Sequence, residues 1–260
     1  MKFSVLSSGS KANSSFIEIC GQRILIDCGL SGRQTEERLR MLGIDPSTLN
    51  AIVVSHEHSD HIHGVPTISR KYKIPVFANK GTAERLKTVY HHEEFKTGSS
   101  FWIGCTEIQT VSITHDANDP VGFVFRGDGV KFSHFTDLGR VTTAVREACM
   151  NSDGIVLESN HDLEMLQTCS YSWELKQRIS STHGHLSNDT AANLLREIMH
   201  PGLSVVVLAH LSENSNTPEK TLQTHFDVLG NYKPQTLICG SIKAATQVFE
   251  LSPEMLAQVA

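Results

Sequence analysis

The chain has 260 residues, 39% of them hydrophobic, and a formal net charge of −5 at pH 7. That length suits one large α/β domain spanning 1–260 better than two small ones. The negative balance excludes a protein held on nucleic acid or an anionic membrane by bulk charge, but not a local positive site that meets an anionic substrate.

The opening "MKFSVLSSGSKANS" carries one lysine and then turns polar, without the apolar stretch of a secretory signal. No run approaches the ~18 apolar residues of a spanning helix, so no membrane partner is expected. Cys20, Cys28, Cys105, Cys149, Cys169 and Cys239 are scattered with no C-x-x-C pair. They read as free thiols of a reducing compartment, and the expected location is cytoplasmic.

In chain order, "SFIEIC-GQ-RILIDCG" predicts a hairpin around a two-residue turn, Gly21-Gln22. "SGRQTEERLRMLG" predicts a helix with Ser31 as N-cap and Gly43 after its last apolar residue. "AIVVS" is a short buried strand, "HGVPTISRKYK" a helix and "IPVFAN" the next strand. Residues 101–135 hold four short β patterns, "FWIG", "CTEIQTVSIT", "VGFVFRGDG" and "VKFSHFT". A helix around 138–149, the strand "GIVLES", a mostly helical stretch over 161–199 and the strand "SVVVLAH" follow. A helix over 217–229 and the strand "QTLIC" complete the order, with Thr217 as N-cap and Pro218 at the first helical position. Both halves mix strands with a few helices and no long linker separates them. That order predicts two sheets packed face to face with helices outside, a four-layer αββα sandwich.

The most informative stretch is "IVVSHEHSDHIHG", residues 52–64, where a buried strand runs into four histidines, a glutamate and an aspartate. Alternate residues of an extended segment face the same way. His56 and His58 can thus face one ion, while Asp60 and His61, past a turn, face a second position nearby. Imidazole and carboxylate suit zinc, manganese or iron. Further donors are expected where later strands end: His115 in "TVSITHD", Asp137 in "KFSHFTD" and His210 in "SVVVLAH". His63 lies outside the pattern and reads as a helix start. His134 alternates with the apolar residues of its strand and reads as structural.

This set resembles the metallo-β-lactamase superfamily, whose pattern is H-x-H-x-D-H followed by a later His, an Asp and a final His. The match runs from "DCG", with Asp27 as the strand-end structural aspartate, to "LAHLSENSNTPE". The resemblance implies one metal on His56, His58 and His115, a second on Asp60, His61 and His210, and Asp137 bridging them. Two divalent ions, zinc or manganese with iron also compatible, would hold a bridging hydroxide between them and clamp a phosphate.

Details narrow the branch. "SITHDANDPVGFVF" replaces the "PGHT" of glyoxalase and lactonase members and is similar to the phosphodiesterase branch. His58 stands where redox diiron members carry Glu. "VLESNHD" and "STHGHLSNDTAANL" resemble the paired segments of RNA-cleaving members, in which an acid orients an imidazole that gives a proton to the leaving oxygen. Asp60, Glu158 and His185 are accordingly the catalytic candidates. "SSGSKANS", "DCGLS" and "HLSENSNTPE" look like the YycJ/WalJ-type subfamily, which is associated with exonuclease activity on DNA. Only 73 positions separate Asp137 from His210, too few for a large cap domain, and 62–114 shows no Gly/Pro-rich arm for gripping tRNA. The expected function is a dinuclear metal-dependent phosphodiesterase acting on DNA ends. Its rivals are a small-molecule ester or thioester hydrolase on the same centre and a metal-loaded binding module. Ser8 and Ser10 around Gly9 could contact phosphate or simply turn the chain between two strands. Asn214 and Asn216 are further candidates for substrate contact.

Overall fold

The run "QRILI" forms β3 (Gln22–Ile26), a strand buried on both faces at its carboxyl end. Ile24 and Ile26 enter one apolar cluster and Leu25 the other. The same division recurs in β4 (Ala51–Val53) and β12 (Val205–Ala209). Val205 and Val207 join Ile24 in the cluster between two sheets, whereas Val206 and Leu208 pack under outer helices. A parallel strand covered on both sides reads as a continuous apolar run, as β4 and β12 do throughout and β3 does over Ile24–Ile26.

The computed structural model describes residues 1–86 and 88–253. The remaining strands are β1 (Lys2–Ser7), β2 (Ser14–Ile19), β5 (Pro75–Ala78), β6 (His91–Glu94), β7 (Ser100–Ile103), β8 (Thr106–Ser112), β9 (Val121–Gly127), β10 (Val130–Phe135), β11 (Gly154–Glu158), β13 (Thr236–Cys239) and β14 (Phe249–Glu250). The helices are α1 (Gly32–Met41), α2 (Ser59–Ile62), α3 (Val65–Tyr72), α4 (Lys80–Ala83), α5 (Thr143–Cys149), α6 (Leu163–Thr168), α7 (Trp173–Ile179), α8 (Asn188–Ile198) and α9 (Pro218–Leu229). One sheet runs β14-β1-β2-β3-β4-β5-β6 and the other β13-β12-β11-β10-β9-β8-β7. Each is antiparallel over one half and parallel over the other. Between them lies a core in which the rings of Phe3 and Phe132 sit 4.6 Å apart. Each buried Phe contributes about 1.5–3 kcal/mol. The cluster under the first sheet holds residues of α1 and α3, and that under the second holds residues of α5, α8 and α9. This is the expected αββα sandwich. No helix among the described residues is long and apolar enough to cross a membrane.

Some expectations need correcting. Ile19 pairs with Gln22, so the hairpin turn is Cys20-Gly21 rather than Gly21-Gln22. Both residues have positive φ, 51° and 69°. That is the mark of a type I′ turn, whose twist matches the strands. The backbone N–H of Cys20 donates to Asp128 Oδ2 at 2.7 Å, which supports the unusual conformation at a non-glycine. The polar opening residues form β1, which pairs with both β2 and β14. The edge strands β6 and β14 were not expected: "HHEE" is polar and β14 has two residues. The helical stretch 161–199 is three helices, and the break between α7 and α8 carries His185.

Candidate metal centre

The expected donors meet at one end of the sandwich, where β3, β4, β8, β10, β11 and β12 all finish. Three of these ends turn sharply. Asp27, Asp137 and His210 have φ of 56°, 59° and 57°. A left-handed conformation costs a non-glycine residue about 1–2 kcal/mol. Here it swings each polar side chain out of its strand's alternation and into the cluster. Two glycines permit the close approach beneath. A Cβ at Gly29 would lie 1.6 Å from the Asp60 carbonyl oxygen, and one at Gly64 would lie 2.2 Å from that of Leu30. This explains locally why "DCG" and "HG" flank the histidine segment.

The donor atoms fall into groups. His56 Nε2 is 3.1 Å from His58 Nδ1, which is 3.3 Å from His115 Nε2. His61 Nε2 is 3.4 Å and His210 Nε2 3.7 Å from Asp60 Oδ2. Asp137 lies between the two triads, with Oδ2 3.2 Å from His61 Nε2 and Oδ1 3.3 Å from His210 Nε2 and 3.7 Å from His115 Nε2. Two nitrogens bound to one tetrahedral ion at about 2.1 Å stand roughly 3.4 Å apart, so the spacing fits. Two central atoms, Asp137 Oδ2 and His210 Nε2, are buried without a hydrogen-bond partner. Buried polar atoms in native proteins are almost always satisfied, and a cation would satisfy both.

The surrounding residues fix which ring nitrogen faces inward. Nδ1 of His61 lies 2.8 Å from Asp27 Oδ2, and that of His56 3.0 Å from Ser55 Oγ. Nδ1 of His115 is 3.3 Å from the Gly184 carbonyl, and that of His210 3.3 Å from Glu158 Oε1. Donation from Nδ1 in these four rings leaves Nε2 as the inward lone pair, the arrangement by which outer residues orient metal-binding histidines. His58 differs, presenting Nδ1 to the group.

Charge in the cluster is lopsided. Burial opposes ionisation of Asp60 and Asp137, yet the neighbouring histidines hold both carboxyls far below their usual range. Burial likewise works against a charged His210, but Asp137, Asp60 and Glu158 raise it to about 10. His61 is raised well above its usual value by Asp137 and Asp27 against the same penalty. His56 moves the other way, lowered by burial and by the charge of His61. Carboxylates that favour positive neighbours in this way suit a bound cation.

Glu158 and His185 are brought together at the rim. Glu158 is fully buried and sits 2.8 Å from His185 Nδ1. Its Oε1 also accepts the N–H of Asp137, and its Oε2 those of Leu138 and Leu186. A surface role for Glu158 is thereby excluded. Of the weaker candidates, Ser10 is exposed and lines a cleft beside His185, and Asn214 donates to the Tyr171 hydroxyl. Ser8 and Asn216 need correction, since neither is free to touch a substrate. Ser8 is buried and its Oγ accepts the His210 N–H at 2.6 Å. Asn216 is buried, with its amide engaged by the carbonyls of Ser159 and Asn160 and by Asn188. His63 is exposed at the end of α2, and buried His134 meets Ser15 at 3.0 Å; neither joins the cluster.

Two site residues were missed in the sequence. Asn13 Nδ2 donates to Asp60 Oδ2 at 3.0 Å, and Asn160 Nδ2 to the His210 carbonyl at 2.8 Å. Both lie inside segments singled out for other reasons, "SSGSKANS" and "VLESNHD". An amide between strands gives no signal beyond polarity.

Residues 22–211 match the Beta-lactamase superfamily domain. The chain is 36% identical over 226 residues to exodeoxyribonuclease WalJ of Streptococcus pneumoniae, an alignment covering 84% of each chain. To exodeoxyribonuclease YycJ of Bacillus anthracis it is 33% identical over 225 residues, covering 84% of this chain and 85% of that one. Among solved structures, the metallo-beta-lactamase fold protein YhfI from Bacillus subtilis superposes with a TM-score of 0.73 over 96% of this chain and 99% of that one. Its 14% identity makes it a likeness of fold alone. With the donor pattern, the sandwich and these relatives in agreement, the chain belongs to the Beta-lactamase superfamily, as a relative of WalJ and YycJ.

Proposed function

We propose that this protein is a divalent-metal-dependent phosphodiesterase that degrades DNA from an end, and that the whole chain, 1–260, is one catalytic unit whose residues 254–260 lie outside the described structure. The observation that carries the reading is the pair of donor triads, His56/His58/His115 and Asp60/His61/His210, on either side of Asp137. Those residues would hold two ions, zinc or manganese by donor chemistry and iron as a further fit. When bound, such a pair lowers the pKa of water and neutralises charge on a phosphate.

The chain's own residues supply the rest. Asp137 would keep the two triads in register, and Asp60, held by Asn13, would orient the attacking side. Glu158 accepts from His185 Nδ1, which leaves Nε2 to carry a proton to the departing sugar oxygen. A DNA substrate is supported by the exodeoxyribonuclease names of the two relatives. A cytoplasmic setting is supported by six cysteines that are all unpaired.

The test is one assay panel on manganese- or zinc-loaded protein: an aryl phosphodiester, a thioester and labelled DNA, each with and without chelator. Turnover of DNA and of the aryl diester that stops with chelator is the expected result. Efficient thioester cleavage without phosphodiester turnover would transfer the site to the ester and thioester class.

A further inference from the structure

A cleft of about 360 Å³ opens beside His185 and His115. Its walls include His115 and His185 together with residues outside the donor set. Tyr171, between α6 and α7, lines it together with Leu175, Arg178 and Ile179 of α7. The Tyr171 hydroxyl accepts from Asn214 Nδ2 at 3.1 Å and lies 3.5 Å from Ser212 Oγ. Two anchors from the loop after β12 therefore hold the ring in the cleft wall. Leu175 is 37% exposed there, and Ile179 is buried behind it. Arg178 forms a 2.8 Å ion pair with Asp116, the neighbour of His115, which places its guanidinium beside the centre.

An aromatic ring, two aliphatic side chains and a guanidinium next to a proton-donating imidazole match the parts of one nucleotide. We propose that this cleft is a nucleoside subsite, in which Tyr171 stacks the base of the terminal nucleotide, Leu175 and Ile179 cover its other apolar surface, and Arg178 meets the backbone. The inference rests on the phosphodiesterase reading of the adjoining centre and deepens it. Small-ligand pockets span about 300–1,000 Å³, so this one holds a single nucleotide and not a paired stretch. The substrate that fits it is then an unpaired strand end. Every base offers a π face, so recognition by stacking is tolerant of sequence. The leaving oxygen would sit at the mouth of the cleft, where His185 lies.

Calorimetric binding to the manganese-loaded protein tests this, with thymidine 5′-monophosphate, thymidine 3′-monophosphate and methyl phosphate as probes. The better thymidine nucleotide should bind about tenfold or more tighter than methyl phosphate, the scale expected of one stacked base. Tyr171→Ala should reduce that preference below about threefold, and Tyr171→Phe, which keeps the ring, should retain it. Leu175→Glu, at a half-exposed position that tolerates substitution, should also reduce it and serves if Tyr171→Ala does not fold. Equal binding of all three probes by the unaltered protein overturns the subsite, as does a full preference in both disruptive variants. A protein that prefers nucleotides but hydrolyses no phosphodiester sinks the proposed function and leaves the subsite standing. Hydrolysis without nucleotide preference sinks the subsite alone.

Discussion

His185 Nδ1 stands 2.8 Å from Oε1 of Glu158, a carboxylate with no exposed surface. Burial alone would favour the neutral acid. The charge and hydrogen bond of His185, with His210 beyond it, hold Glu158 down at about 2. An ionised Glu158 fixes the orientation of the His185 ring through Nδ1. General acid catalysis contributes about 10²–10⁴-fold when the leaving group is poor, as a sugar alkoxide is, and little when it is nitrophenolate. His185→Ala should therefore lower DNA cleavage by about that factor and aryl diester cleavage by less than about tenfold, with metal content unchanged. Equal losses on both substrates would instead give His185 a role in binding phosphate. Lost metal would make it a ligand, as its place beside Asp137 and His210 allows.

Asp137 lies between the two triads, within 3.7 Å of His61, His210 and His115. Asp137→Ala should reduce metal content from two ions per chain to one or none, measured by elemental analysis, together with activity. An aspartate that only supported the fold would lower stability and leave the metal in place. A variant with two ions and normal turnover contradicts the bridging assignment.

Asp27 acts one step further out, through His61 Nδ1 and both the N–H and the hydroxyl of Ser55. Asp27→Asn keeps the size and suits the positive φ, but removes the charge that orients the ring. Loss of such an outer partner weakens metal binding by about 10–100-fold. A metal titration followed by activity should show that loss, with turnover restored at saturating metal. Unchanged affinity would mean that His61 is oriented by packing alone.

How much of this was legible follows from where the information resides. His56, His115, Asp137 and His210 each stand no more than three residues past a strand end, so hydrophobic pattern and polar punctuation together mark the site. The supports were hidden because they are tertiary. Asn13 reaches Asp60 across 47 positions, and Asn160 reaches His210 across 50. Nothing local distinguishes these asparagines from turn residues. The strand β1 was missed because its serines, Ser4 and Ser7, bond to Thr246 and Ala12 from buried positions and break the apolar pattern. The hairpin turn slipped by one residue because Gly21 fits either position, and only the Asp128 contact to Cys20 decides between them.

His134 provides a pH signature at a residue outside the donor set. Burial pushes its pKa down to about 4 from 6.5. The folded protein thus binds fewer protons than the unfolded chain between those values. The stability that goes with neutral His134 is complete above pH 6.5 and falls away as the pH drops towards 4. The full loss is about 3 kcal/mol. Urea unfolding at a series of pH values should show that slope in the native protein and a shallower one in His134→Gln. Identical slopes would mean that other groups govern acid unfolding.

The most direct measurement of the central claim compares linear DNA with covalently closed circular DNA of the same sequence, incubated with metal-loaded protein. Release of mononucleotides from the linear molecule, an intact circle and full arrest by chelator is the predicted result. Cleavage of the circle at a comparable rate, or turnover that survives complete removal of metal, would contradict the account.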